Sequence, residues 1–248
     1  RNMNLLKSDR HEKGFYEAIW HSLRTQGHWQ GEIWNRRKTG ELFPEWTTIS
    51  SVRNEGGETL SYVSVFTDIS SIKDAEARLE FLAHHDALTG LPNRLLLISR
   101  MDQAMKRAHR AGRLCAAIFL DLDRFKEVND RFGHRAGDEL LQQVARRIAE
   151  RLRGSDTLAR LGGDEFVALL EDLPHPDNAA QVAQMLIEQI SLPFLLSSGY
   201  EACVGVSAGI SIFPDHGGDS ETLIDRADAA LYRAKEGGRN GYRFHVPN

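Results

Sequence analysis

The sequence holds only two cysteines in 248 residues, Cys115 and Cys203, in separate apolar stretches and without the paired spacing of a metal site. That argues against a disulfide scaffold and fits a reducing compartment, so the expected location is cytoplasmic. No apolar run approaches the roughly 20 residues that a bilayer requires, which rules out a membrane span in this stretch. An excess of positive charge is also missing: 31 basic against 35 acidic residues leave a net charge of -4. There is no global field to hold a nucleic acid polymer. No Gly-x-x-x-x-Gly-Lys-Ser/Thr pattern occurs, so phosphates are not cradled by a P-loop. Internal repeats, low-complexity tracts and a signal-peptide pattern are all absent. The chain begins at Arg1 rather than Met and reads as a piece of a longer protein, whose membrane anchoring would lie in other segments. What is present is an ordinary globular mixture, 41% hydrophobic and 27% charged. Its length suits one large or two small domains.

The first third reads as an antiparallel meander. Runs over 28–37, 42–53 and 58–66 are rich in Trp, Ile, Val, Thr and Tyr. The turns Lys38-Thr39-Gly40-Glu41 and Asn54-Glu55-Gly56-Gly57 separate them. Phe15, Ile19 and Leu23 predict a short amphipathic helix over 14–24. Between Asp68 and His85 the period changes: Ile72, Ala75, Leu79 and Leu82 form a narrow seam of roughly two heptads. By periodicity the seam serves a dimerising stripe and a linker helix lying on its own domain equally well. From Asp86 onward helices alternate with strands. Helices are expected over 95–111, 138–152, 179–192 and 221–236, the last ended by Gly237-Gly238. Strands are expected over 114–122 and 202–213, with a hairpin of 157–161 and 166–170 around the tip 162–165. The expected fold class is α/β (α+β): a mixed sheet with helices on its faces.

Two acidic clusters could carry chemistry. Asp121-Leu122-Asp123 closes a buried strand, and Gly162-Gly163-Asp164-Glu165 forms a hairpin tip. Carboxylates at the ends of buried strands need a partner or a cation. If the hairpin lies beside the Asp121 strand, Asp121 and Asp164 converge on a hard-oxygen site suited to Mg²⁺, as in phosphoryl or nucleotidyl transfer. Either cluster alone reads as a turn or a strand end; the two together favour a site. Lys126, Lys235 and Arg239 are candidate phosphate partners, although by spacing alone Lys235 and Arg239 read as simple partners of a helix dipole.

These residues resemble the diguanylate cyclases. Arg160-Leu161-Gly162-Gly163-Asp164-Glu165-Phe166 carries the GGDEF signature of that family. Asp86-Ala87-Leu88-Thr89-Gly90-Leu91-Pro92-Asn93-Arg94, Asp121-Leu122-Asp123-Arg124-Phe125-Lys126 and Asn129-Asp130-Arg131-Phe132-Gly133-His134 look like its other motifs, in order. Asp138 and the stretch from Ala227 to Asn240 complete a likeness over about 86–245. The resemblance implies a palm-like nucleotide-cyclase fold and the condensation of two GTP to cyclic di-GMP with release of two pyrophosphates. It implies that Asp121, the Leu122 carbonyl and Asp164 bind Mg²⁺, with Mn²⁺ as the alternative. Asn129 and Asp138 would hold guanine, whose N1–H and N2–H donors suit a carboxylate. Lys126, Lys235 and Arg239 would neutralise the triphosphate, with backbone amides near Phe125 and the glycines Gly162 and Gly163 bordering it. Asp164 or Glu165 would take the 3′-hydroxyl proton. One GTP per domain implies a homodimer. Arg153 and Asp156, in the spacing RxxD, resemble the family's inhibitory product site; otherwise Arg153 is one more charge on the Arg146, Arg147, Arg151 helix face.

Residues 1–70 resemble the later part of a PAS sensor domain, through Trp29-Gln30-Gly31-Glu32, Lys38-Thr39-Gly40-Glu41 and Asp68-Ile69-Ser70. Trp29, Trp34, Phe43 and Trp46 are expected in its core; no residue marks a haem or flavin ligand, so the PAS ligand stays unknown. The expected division is 1–70 PAS, 71–85 signalling helix and 86–248 cyclase. The ending Tyr242-Arg243-Phe244-His245 resembles a junction into a following domain, a phosphodiesterase in tandem proteins. The rival reading is a catalytically silent receptor for GTP or cyclic di-GMP, or a dimerisation module.

Overall fold

A computed structural model describes residues 7–246. The chain divides into two compact units, Arg1–Glu80 and Phe81–Asn248.

In the first unit, α1 (Lys13–Thr25) precedes three antiparallel strands, β1 (His28–Arg36), β2 (Leu42–Arg53) and β3 (Thr59–Asp68), in that spatial order. Ile19 and Leu23 of α1 bury against Ile33 and Ile49, with Phe15, Tyr16 and Trp29 partly covered around them. The aromatic core is smaller than expected. Phe43 is buried and Trp29 and Trp34 are half-buried, but Trp46 is 48% exposed. The two-residue period of β2 explains the correction: Glu45, Thr47 and Ile49 point inward, so Trp46 points to the open face. All of β3 is exposed, including Leu60, Val65 and Phe66.

Asp68 starts the next helix, α2 (Ser70–His84), by accepting from the Ser70 N–H and hydroxyl. Those bonds and the Arg37 ion pair hold its carboxyl at about 2. The seam of α2 is uncovered: no residue of the helix is buried, and Ile72 and Leu79 are 53% and 67% exposed.

The second unit is built on a five-stranded sheet. After α3 (Arg94–Ala111) come β4 (Leu114–Asp123), α4 (Phe125–Phe132), α5 (His134–Ala149), β5 (Thr157–Gly162), β6 (Glu165–Leu173) and α6 (Asp177–Ile190). The short β7 (Phe194–Leu195) and β8 (Glu201–Ala202) form a separate ribbon, followed by β9 (Gly205–Phe213), α7 (Ser220–Glu236) and β10 (Tyr242–Phe244). The sheet order is β10-β9-β4-β6-β5, with only β10 and β9 parallel. Alternation along β4 builds two cores. Even positions such as Ile118 and Leu120 pack with α4, α5 and α6; odd positions such as Ala117 and Phe119 pack with α3 and α7. Helix α7 lies so close to β9 that a Cβ on Gly209 would stand 2.0 Å from the Ala227 carbonyl oxygen.

One expectation changes, and two elements are added. The strand expected over 202–213 is broken after Ala202, because Phe194 and Ala202 pair in the β7–β8 ribbon. Helix α4 fills a stretch to which sequence reading assigned no element. The ending Tyr242–Phe244 is an edge strand of the sheet, in parallel register with Ala208–Ile210.

Candidate active site

The same alternation along β4 brings Asp121 and Asp123 to its end on the α7 side. The hairpin of β5 and β6 lies directly alongside. Asp121 stands opposite Glu165 in the ladder, and the Leu122 N–H donates to the Asp164 carbonyl at 3.3 Å. The turn between β5 and β6 needs glycine: Gly163 has φ +52° and Gly162 has φ +151°. Asp121, Leu122, Gly162, Gly163, Asp164 and Glu165 are thus assembled at one end of the sheet.

A guanidinium holds the tip in place. Arg160 is buried and donates Nε and Nη2 to the Gly163 carbonyl at 3.0 and 2.7 Å. Its Nη1 pairs with Asp86 Oδ1 at 2.8 Å. Asp86 also accepts from the N–H and hydroxyl of Thr89. The Asp86–Arg94 stretch therefore supports the hairpin. Sequence reading noticed both segments but missed the bond between them.

The carboxylates of this acidic group repel one another and are partly buried. Burial raises the Asp121 carboxyl, and repulsion from Asp164 and Asp123 adds to it, over the opposing pull of Lys235. Burial also raises Glu165, followed by repulsion from Asp121, Asp228 and Asp164, with Lys235 again opposing. Lys235 Nζ sits 2.7 Å from Asp121 Oδ1, contributed by the last turn of α7. Its charge offsets both Asp121 and the negative end of that helix. Among the described residues no three His, Cys, Asp or Glu side chains are arranged to hold a metal by themselves. Asp121, Asp164 and the Leu122 carbonyl offer hard oxygens, the donor type that suits a small divalent cation such as Mg²⁺.

Three more groups surround this end of the sheet. In α4, Phe125 is buried and Lys126 exposed, and Arg124 enters the helix at φ +60°. Asn129 packs against α5: a Cβ on Gly137 would stand 1.9 Å from Asn129 Oδ1. Asp138, exposed, is the next residue. After α7, Arg239 and Asn240 are both left-handed, at φ +62° and +46°, each at a cost of roughly 1–2 kcal/mol. Asp123 is 8% exposed and accepts from Ser207 Oγ at 2.9 Å and from the Asn240 N–H at 3.0 Å. A cavity of about 670 Å³ opens beside this end of the sheet; Asp123, Arg124, Arg131, Cys203, Arg239 and Asn240 line it, but Asp121, Asp164 and Asn129 do not.

Arg153 and Asp156 stand apart from the acidic group. They form a turn in which the Arg153 N–H donates to Asp156 Oδ2 at 3.0 Å, and Asp156 Oδ1 accepts from the Glu171 N–H at 3.3 Å. Helix α5 ends at Ala149, so Arg153 is not on its charged face. The turn leads into β5 at the end opposite the hairpin tip.

Comparison with known proteins gives the family of the second unit and the kind of domain in the first. Residues 83–241 match the family model described as diguanylate cyclase, GGDEF domain, and residues 3–71 match a PAS domain model. The chain is 48% identical over 175 residues to the bifunctional diguanylate cyclase/cyclic di-GMP phosphodiesterase MucR of Pseudomonas aeruginosa, covering 71% of this chain and 25% of MucR. It is 41% identical over 173 residues to the diguanylate cyclase TpbB of the same organism, covering 70% of this chain and 40% of TpbB. A structure of the TpbB GGDEF domain superposes with a TM-score of 0.64, covering 66% of this chain and 95% of that one. The coiled coil and GGDEF domain of DgcB from Caulobacter crescentus, in complex with c-di-GMP, superposes with a TM-score of 0.63 at 27% identity, covering 71% and 93% of the two chains. This chain thus spans well under half the length of either curated relative.

Proposed function

The chain belongs to the GGDEF diguanylate cyclase family, and from that premise we propose that it condenses two GTP into cyclic di-GMP with release of two pyrophosphates. The observation that carries the reading is the register of β4 against β6, which sets the acidic end of one strand beside the acidic tip of the hairpin. On this reading 1–70 is the PAS input, 71–85 the signalling helix and 86–248 the cyclase.

Each half-site binds one GTP. Asn129 and Asp138 read the guanine edge, and the paired N1–H and N2–H donors select it over adenine, which offers no such pair. Lys126, Arg239 and Lys235 neutralise the triphosphate, with backbone amides near Phe125. Asp121, Asp164 and the Leu122 carbonyl would hold Mg²⁺ or Mn²⁺, which supplies charge neutralisation at the reacting phosphate. Glu165 or Asp164 accepts the proton of the attacking 3′-hydroxyl at a carboxylate oxygen.

Each 3′-hydroxyl attacks the nucleotide of the other half-site, so the working unit is a homodimer. The open seam of Ile72, Leu79 and Leu82 supports α2 as the dimerising helix, since it leaves apolar surface for a second copy. Arg153 and Asp156 form the product-inhibition site; Arg153 projects from a turn where its guanidinium is free to pair with phosphate or stack on guanine. Reaction on GTP places the domain in the cytoplasm; among the described residues no helix is long and apolar enough to cross a membrane.

The test is cyclic di-GMP formation from GTP and Mg²⁺ at several protein concentrations. A steeper than linear rise with concentration is expected. Bound GTP with no product at high concentration would instead establish a silent receptor.

A further inference from the structure

Asp123 belongs to the acidic end of β4, yet its hydrogen bonds lead away from the cation donors. It accepts from the Ser207 hydroxyl, which is fully buried, and from the Asn240 backbone N–H. Both bonds fall on one carboxylate that bridges β4, β9 and the segment after α7. That segment is otherwise costly to hold in its observed shape. Arg239 and Asn240 are consecutive non-glycine residues with positive φ, and such a pair persists only where its surroundings over-determine it. The surroundings are visible. The Arg239 N–H closes on the Ala234 carbonyl at 3.2 Å, and the Gly241 carbonyl accepts from the Ala208 N–H at 2.9 Å. Between these two anchors the Asn240 N–H points at Asp123, and Asn240 Oδ1 accepts from Ser191 Oγ at 3.2 Å. Gly205 leaves the room required: a Cβ there would stand 3.2 Å from Asp123 Oδ2 and 3.3 Å from Asn240 Oδ1. The Arg239 side chain itself remains 54% exposed, with Nε 3.9 Å from Asp123 Oδ1. More than half of the Arg239 side chain thus stays accessible to a ligand while its backbone is fixed.

We infer that Asp123 is a positioning residue for Arg239: its carboxylate locks the left-handed Arg239-Asn240 turn and so presents the guanidinium to the substrate triphosphate. The inference rests on the reading of Arg239 as a phosphate partner. It separates the two aspartates of Asp121-Leu122-Asp123, one facing the cation donors and one serving the anion-binding turn.

The experiment measures binding of 3′-deoxy-GTP, which lacks the attacking hydroxyl, with Mg²⁺ by calorimetry to wild type, Asp123→Asn, Arg239→Ala and the double variant, alongside thermal melts. Asp123→Asn loses one partner of a charge-assisted bond and is expected to weaken binding about tenfold. In the Arg239→Ala background the same change is expected to cost almost nothing, because both act through one contact. Ser207→Ala keeps the carboxylate and removes one donor to it. Its smaller loss, about threefold, is expected to vanish in the Arg239→Ala background too, and it decides the matter if Asp123→Asn does not fold. Losses that multiply in the double variants would overturn the inference alone. Arg239→Ala binding as tightly as wild type would sink the phosphate reading of Arg239 and the inference with it.

Discussion

Arg160 grips the Gly163 carbonyl with two N–H donors, at 2.7 and 3.0 Å, from within the strand that leads into the same turn. A carbonyl in a two-glycine turn would otherwise be free to rotate, and with it the aspartate that follows. Arg160→Met keeps the buried volume but leaves the Asp86 carboxylate without its guanidinium partner. We expect a loss of about 3 kcal/mol in unfolding free energy and a fall in turnover of at least about tenfold from the slackened tip. Urea unfolding and GTP turnover measure the two; full activity would refute the role.

The same pair has a pH signature. Burial pushes the Asp86 carboxyl up, but the bonds from Thr89 and Arg160 outweigh it and hold the group below its ordinary value. A carboxyl depressed in the folded state contributes stability above its unfolded pKa of about 3.9 and loses it as pH falls through the lower, folded value. Melting temperature should therefore fall more steeply below about pH 4 in wild type than in Asp86→Asn. Parallel curves would exclude Asp86 as a source of the acid sensitivity.

A substitution at Gly137 sets helix stability against the guanine-reading role proposed for Asn129. Alanine favours an α-helix interior over glycine by about 1 kcal/mol, yet its Cβ would stand 1.9 Å from Asn129 Oδ1. The carboxamide must then move. Gly137→Ala is expected to fold, to raise the KM for GTP about tenfold and to narrow the preference for GTP over ATP. Steady-state kinetics with both nucleotides check this, and unchanged discrimination would remove Asn129 from the guanine site.

Asp164→Ala removes a carboxylate that only the tip can supply. Cyclic di-GMP formation should fall below detection, while the melting temperature stays within a few degrees of wild type. Retained turnover would refute the cation assignment to Asp121 and Asp164.

Arg153→Ala should relieve inhibition by cyclic di-GMP without changing the initial rate, because the Arg153-Asp156 turn is closed by backbone and Asp156 bonds rather than by the arginine side chain. Initial rates at rising product concentration measure it. An unchanged inhibition constant would move the product site elsewhere.

Local pattern alone was enough to read the elements whose period is strong. The apolar run into Asp121, the amphipathic face of Leu140, Val144 and Ile148, and the glycine turn before Asp164 each declare themselves within a few residues, because side-chain periodicity and φ preference are short-range properties. The short helix α4 and the edge strand Tyr242–Phe244 did not, since eight and three residues are too few for a period to show. Trp46 was misread because aromatic bulk says nothing about which face of a strand is covered. What only the tertiary structure decided are the supports of the site. Arg160 and Asp86 lie 74 residues apart, and Asn240 and Asp123 lie 117 apart. No spacing rule links such pairs; strand order and the packing of α7 on β9 bring them together. The chain therefore announces its acidic groups locally, while the partners that aim them depend on how the sheet is threaded.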